Sequence, residues 1–261
     1  MPLADRFYSD DFRPDFGIPW VENPPDAELL SWPHEKLAAY LTFREQRNKD
    51  ALENPVGAGW VLPSWQTVMN NWTKYTNHII LGGNRSSKSM IASRLCVWAA
   101  GTIPGAEVRA YHVNEDRSIE DQQRMVWDAL PQGIRNLPTK KGLNHSVQYS
   151  QKNGFTDNIC ILPPVNGFRR GGSIKFSNYR SYQADAQVAE GYRAHLIWCD
   201  EECPQKMFET LQYRTTDYHG RIILTFTTLT GWTPLVQDIL GKTRTIEKRF
   251  APLVGRELPV V

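Results

Sequence analysis

Three groups of residues in this chain have types and spacings suited to phosphate chemistry. The first is HIILGGNRSSKS, from His78 to Ser89, an apolar run that ends in a glycine pair and then in Lys-Ser. It approximates G-x-x-x-x-G-K-[ST], with Ser87 standing where the second glycine belongs. A triphosphate needs a cradle of backbone N–H groups at a helix N-terminus, where the helix dipole favours negative charge. Gly82 and Gly83 let the chain turn tightly, Lys88 is placed to reach β- and γ-phosphates, and the Ser89 hydroxyl suits Mg²⁺. Should position 87 sit at positive φ, a serine there costs about 1–2 kcal/mol, which folding can absorb. The bland alternative is a polar strand-to-helix turn that happens to contain Gly-Gly and Lys-Ser. The loop alone does not decide between them.

The second group is HLIWCDEE, His195 to Glu202. An apolar run ending in Asp200-Glu201 puts carboxylates at the C-terminal edge of a buried strand, where α/β sheets bind ligands. Asp200 suits Mg²⁺ through its water shell, and Glu201 suits the orienting of an attacking water. Glu202 reads as a solvated acid on the opposite side of the strand from Glu201. The third group is the run Thr225, Thr227 and Thr228, just before Gly231. Hydroxyls at the tip of a neighbouring strand can sense a γ-phosphate, although threonine simply suits strands, and Thr225 is read that way.

These groups need elements to hold them. IIL, 79–81, is a strand buried on both faces. Residues 88–100 form a helix with Ile91, Leu95 and Trp98 on one face and Gly101 as its stop. EVRAYHV (107–113) is a strand, and 118–130 a helix opened by a Ser118/Asp121 capping pair. SIKFSN (173–178), HLIWCD (195–200) and RIILTFTTL (221–229) are strands, and KMFETLQYRTT (206–216) is a helix. Upstream, 1–33 reads as an extended proline-rich arm, and 34–54 as an amphipathic helix carrying Leu37, Tyr40, Leu41 and Arg44. A further helix spans 64–75 with Ser64 as its cap. Strand-helix alternation of this kind predicts an α/β fold with a mainly parallel sheet sandwiched by helices.

The 261 residues allow a sizeable core, and 41% apolar with 22% charged residues is ordinary for a globular protein. A net charge of +2 gives no electrostatic argument for nucleic acid or membrane. No apolar run reaches membrane-spanning length and no signal layout opens the chain, so a cytosolic protein is expected. Cys96, Cys160, Cys199 and Cys203 lack zinc-site spacing and read as buried, reduced thiols.

Together the GGNRSSKS loop, the GYRAHLIWCDEE strand and FETLQYRTTDYHGRIILTFTTLTGWTPL resemble the ATPase half of the bacteriophage large terminases, in the correct order over roughly 60–240. Lys88 precedes Asp200 by 112 residues and Thr227 by 139. The resemblance implies a P-loop NTPase of RecA-like (ASCE) type that hydrolyses ATP with Mg²⁺ and drives double-stranded DNA into a procapsid. It implies an N-terminal helical arm (1–60), an ATPase domain (61–240) and a C-terminal extension or linker (241–261). By the same resemblance Gly82, Gly83, Asn84, Arg85, Ser86, Ser87, Lys88 and Ser89 bind nucleotide, with Arg85 contacting phosphate. Ser89 and Asp200 hold the metal, and Glu201, Lys88 and Arg85 are catalytic. Gln66 recognises adenine, for which its amide suits N6 and N7, or is simply a polar helix residue. Thr227 couples hydrolysis to motion. Arg193, Arg214 and Arg221 are candidates for an arginine acting in trans, or make ordinary salt bridges.

The implied partners are DNA, a portal protein, a small terminase subunit and further copies of the chain in a ring, in the cytoplasm of an infected bacterium. The family continues into an RNase H-like nuclease, so a chain ending at Val261 is expected to be the ATPase domain without it. Arg169-Arg170 before SIKF is either a basic hairpin touching phosphates or a solvated turn, the latter favoured. Two other readings stay open: a helicase-like DNA-dependent ATPase, and a nucleotide-binding or DNA-docking module without turnover.

Overall fold

The computed structural model describes residues 14–21, 23–83, 85–138, 144–164, 171–227 and 233–245. The expectations for Asn84, Arg169, Arg170, Thr228 and Gly231 lie outside them. In chain order the elements are β1 (Ile18–Pro19), α1 (Asp26–Ser31), α2 (His34–Glu53), α3 (Pro55–Ala58), β2 (Trp60–Val61), α4 (Pro63–Asn70), β3 (Asn77–Leu81) and α5 (Lys88–Thr102). There follow β4 (Glu107–His112), α6 (Glu115–Arg117), a π-helical turn (Ser118–Gln123), α7 (Arg124–Ala129), α8 (Gln132–Arg135), β5 (Tyr149–Ser150), β6 (Gly154–Phe155) and β7 (Ile159–Ile161). The chain then runs through β8 (Ser173–Asn178), α9 (Tyr179–Ala184), β9 (Leu196–Asp200), α10 (Gln205–Arg214), β10 (Arg221–Phe226) and α11 (Pro234–Lys242).

The main sheet has six strands in the order β3-β10-β9-β4-β8-β7. Its first five strands are parallel, and β7 runs antiparallel, against β8. Strand alternation divides the core between two faces. Leu196 and Trp198 pack with Ile91, Leu95 and Cys96 of α5, while Ile197 and Cys199 pack with Met207 and Leu211 of α10 and Leu235 of α11. Helices on both faces of a mostly parallel sheet are the α/β architecture that the alternation predicts.

Several local expectations give way to stronger physics. The N-terminal arm is not wholly extended: Asp26–Ser31 is helical, and β1 pairs in parallel with β2. Helix α2 buries no residue and Leu41 is exposed, so an apolar stripe does not hold it. Its contacts are polar instead: Arg44 and Arg47 lie 5.2 Å and 5.1 Å from the Trp60 ring, Arg47 donates to the Ala58 carbonyl, and the Leu52 carbonyl accepts from Arg135. Ser64 is not a cap, because Pro63 opens α4 after an extended Leu62, the first-turn position proline favours. Gly101 does not stop α5. The helix runs to Thr102, and Ile103 is pushed to extended geometry (φ −85°, ψ 118°) by Pro104 behind it. Ser118 and Asp121 lie inside the π-helical turn, and the cap there is Asn114, whose side chain accepts from the Arg117 N–H at 2.9 Å.

Candidate nucleotide site

Strands β3, β9 and β10 end at one edge of the sheet, and the sequence-selected residues meet there. The loop from Gly82 to Ser87 joins β3 to α5. A Cβ on Gly82 would meet Ser86 Oγ at 2.5 Å and Ser86 Cβ at 3.1 Å, so any larger residue there displaces the Ser86 side chain. A Cβ on Gly83 would meet no atom of the described residues within 4 Å, so their packing does not require that one. Arg85 and Ser87 both hold left-handed backbones, at φ 63° and 61°. Ser87 is the N-cap of α5, and its side chain makes no capping hydrogen bond. Arg85 and Ser86 are exposed, whereas Lys88 is 7% exposed and its Nζ donates to the Gly83 carbonyl at 3.5 Å.

Beneath Lys88, Ser89 Oγ donates to Asp200 Oδ1 at 2.9 Å, joining the loop to the tip of β9. The same oxygen accepts from Thr225 Oγ1 at 2.6 Å, and Thr225 in turn accepts from the buried Trp198 indole N–H at 2.7 Å. Register explains this line of contacts: Thr225 lies opposite Asp200, and Trp198 shares their face of the sheet. His112 completes the surroundings, with Nε2 at 3.7 Å from Asp200 Oδ2. Its Nδ1 accepts from the Val113 N–H at 2.8 Å, which leaves the proton on Nε2. Burial pushes the Asp200 carboxyl above the usual carboxylate range, opposed by hydrogen bonds from Thr225 and Ser89 and by the Lys88 charge. Burial also keeps His112 neutral by lowering its pKa.

Glu201 follows at φ 63°, an uncommon posture for a non-glycine residue. Strand alternation therefore stops at Asp200, and the expected opposition of Glu201 and Glu202 has no strand to rest on. Glu202 instead accepts a hydrogen bond from the Thr233 hydroxyl. The Glu201 N–H donates to the Thr225 carbonyl at 2.8 Å. Burial, and then the neighbouring Asp200 charge, raise the Glu201 carboxyl above its ordinary pKa. Thr227 Oγ1 donates to the Gly82 carbonyl at 2.8 Å, tying the end of β10 to the loop.

Other sequence-selected residues have partners outside this cluster. Gln66 on α4 donates to Asn70 Oδ1 at 3.0 Å. Among the arginines, Arg214 donates to the Ala189 carbonyl at 3.1 Å and Arg221 to the Trp72 carbonyl at 2.9 Å. Arg193 is exposed and pairs with Asp217 at 2.8 Å. All four cysteines are free and buried. Sequence reasoning missed the contacts of Thr225, Trp198 and His112 around Asp200. None left a local signal, because the contacts depend on the register that sets Thr225 opposite Asp200.

No group of three or more His, Cys, Asp or Glu side chains among the described residues could hold a metal. No helix among them is long and apolar enough to cross a membrane. No protein-family profile matches the chain, and no curated protein does. Among solved structures, the fold is similar to the large terminase ATPase domain of Thermus phage P74-26. That likeness has TM-score 0.48 and 18% identity and spans 66% of each chain. For the HK97 bacteriophage large terminase the TM-score is 0.46 and the identity 12%, over 76% of this chain and 40% of that one.

Proposed function

We propose that the chain is a Mg²⁺-dependent ATPase, the motor domain of a viral large terminase that moves double-stranded DNA into a procapsid. The observation that carries the reading is the Ser89–Asp200 hydrogen bond, which joins a loop hydroxyl to a strand-end carboxylate across 111 residues of sequence. The residues fit nucleotide and metal. Ser89 Oγ and Asp200 are hard oxygen donors, and Mg²⁺ is commonly held by one or two protein oxygens together with phosphates and waters. The position a Cβ would fill at Gly83 is open to the described residues, and Lys88 is a buried ammonium whose bond to the Gly83 carbonyl is at the outer hydrogen-bond limit.

In this reading Lys88 and Arg85 neutralise charge on the terminal phosphate, while the loop backbone from Gly82 to Ser87 cradles the phosphate chain. Ser89 and Asp200 would hold Mg²⁺, which would supply positive charge against that developing on the phosphates. Glu201 orients the attacking water, and its raised pKa strengthens it as a proton acceptor. Thr227, hydrogen-bonded to the loop at Gly82, carries the state of the phosphate site into β10. Gln66 recognises adenine after exchanging its Asn70 partner for the base. Arg193, the exposed member of the three candidate arginines, would act on a neighbouring copy after leaving its Asp217 partner. Portal protein, small terminase subunit and DNA are the partners this role requires.

The test is ATP hydrolysis by the purified chain with and without DNA, beside Lys88→Ala and Glu201→Gln. Both variants are expected to lose about 10²-fold or more in kcat, Lys88→Ala with weaker nucleotide binding and Glu201→Gln without. Turnover that survives both substitutions overturns the assignment.

A further inference from the structure

A single buried hydroxyl stands behind the acid pair. Tyr179 opens α9 directly after β8, and its ring is sealed in the core at 4% exposure. Its hydroxyl lies 2.8 Å from the Asp200 carbonyl, 3.0 Å from the Glu201 carbonyl and 3.4 Å from the Tyr111 carbonyl. One phenolic proton is thus shared between the carbonyls on either side of Glu201, those of Asp200 and Glu201 itself, with Tyr111 at the outer limit. Burial pushes the phenol pKa well above its ordinary value, so the group remains a donor throughout the working pH range.

A left-handed backbone is unfavourable for glutamate and persists only where its surroundings over-determine it. At Glu201 two hydrogen bonds do so. The N–H is held by the Thr225 carbonyl at 2.8 Å, and the carbonyl is held by Tyr179. The first bond continues the β9–β10 ladder and fixes only the entry to the residue. The second fixes the peptide that leaves it, and so the turn at which Glu201 departs from the strand. We infer that Tyr179 is a positioning residue for Glu201, its hydroxyl holding the left-handed backbone that presents the carboxylate to the phosphate site. This inference rests on the role given to Glu201 above.

Tyr179→Phe keeps the ring and deletes the hydroxyl. Tyr111→Phe is the matched control. It also removes a buried hydroxyl, one that pairs with Tyr192 at 2.6 Å, but that group does not touch Glu201. Two readouts separate positioning from general softening. In the nucleotide-free protein, amide hydrogen exchange at Glu201 and Glu202 is expected to speed up at least tenfold in Tyr179→Phe and to stay within threefold in Tyr111→Phe. In turnover, Tyr179→Phe is expected to lower kcat ten- to fiftyfold, with fluorescent ADP affinity unchanged within twofold. Equal effects of the two substitutions, or wild-type exchange and kcat in Tyr179→Phe, overturn the inference.

Should Tyr179→Phe not fold, Asn178→Ala carries the test. It removes the α9 cap, at 2.9 Å to the Ser181 N–H, and so loosens the helix start that places Tyr179 while keeping the hydroxyl itself. It is expected to lower kcat three- to tenfold, and an unchanged kcat counts against the inference. Failure of the ATPase reading is distinguishable, because Lys88→Ala and Glu201→Gln would then keep their turnover while the exchange result still reports on the Tyr179 contact.

Discussion

Replacing Ser87 by glycine restores the residue that the phosphate-loop pattern calls for, and the structure sets what the change should do. Ser87 sits at φ 61°, ψ 17°. A left-handed backbone costs an L-residue about 1–2 kcal/mol. The serine makes no side-chain capping bond to lose, so glycine releases that strain outright. Against this, glycine gives the unfolded chain more freedom, worth about 0.4–1 kcal/mol. The balance favours Ser87→Gly by about 0.5–1 kcal/mol, which for a chain of this size is a Tm higher by about 1–4 °C. Thermal unfolding of the nucleotide-free protein reads this directly, with a urea titration to check the sign. ADP affinity should stay within about twofold, since the backbone N–H groups are in place with either residue. An unchanged or lower Tm would refute the argument, because the serine posture would then carry no net strain.

Two further predictions concern stability. His78 and His195 are buried with pKa values lowered to about 4, in both cases chiefly by desolvation. Their contribution is full above about pH 6.5 and is lost as the pH falls from there through 4, each by up to about 3 kcal/mol. Urea midpoints measured from pH 7 to pH 4 should fall accordingly. They should fall less in His78→Phe, which keeps the 5.0 Å stack on Trp72 and removes a buried Nε2 that has no partner among the described residues. Thr225→Val should destabilise by about 1–3 kcal/mol despite matching shape, because it orphans the Trp198 indole N–H. A urea midpoint equal to wild type would contradict the Trp198–Thr225–Asp200 chain.

What the sequence conveys about this site follows the range of the interactions involved. Strand β8 falls on 173–178 as read, because its flanks carry glycines and an Asn-Tyr helix opening. The Lys88–Ser89 and Asp200 pieces are legible separately, since each is a contiguous pattern with a strand attached. That they touch through Ser89 and Asp200 is a tertiary fact, set by strand order β3-β10-β9 rather than by either motif. Thr225 reads as an ordinary strand threonine until its register opposite Asp200 is known. Tyr179 carries no local sign of its role, because its partners lie 21 and 22 residues away on another strand end. The misplaced caps at Ser64 and Gly101 have a different origin, since a nearby proline outranked a polar or small residue in each case.

The place of β3 in the sheet bears on when the molecule becomes competent. Strand β3 lies at the sheet edge, and β10 is its partner in that sheet, Asn77 opposite Ile222. The glycine turn is then clasped from the same strand, through Gly82 to Phe226 and Thr227 to Gly82. During synthesis the loop therefore emerges early but has nothing to rest against until the tenth strand has left the ribosome and docked. Pairings between such distant segments form late, because loop closure must precede the contacts that reward it. In the proposed reading, phosphate binding would thus report completion of the whole sheet, and a nascent or truncated chain stopping before Arg221 is expected to be blind to nucleotide however well its earlier helices had folded.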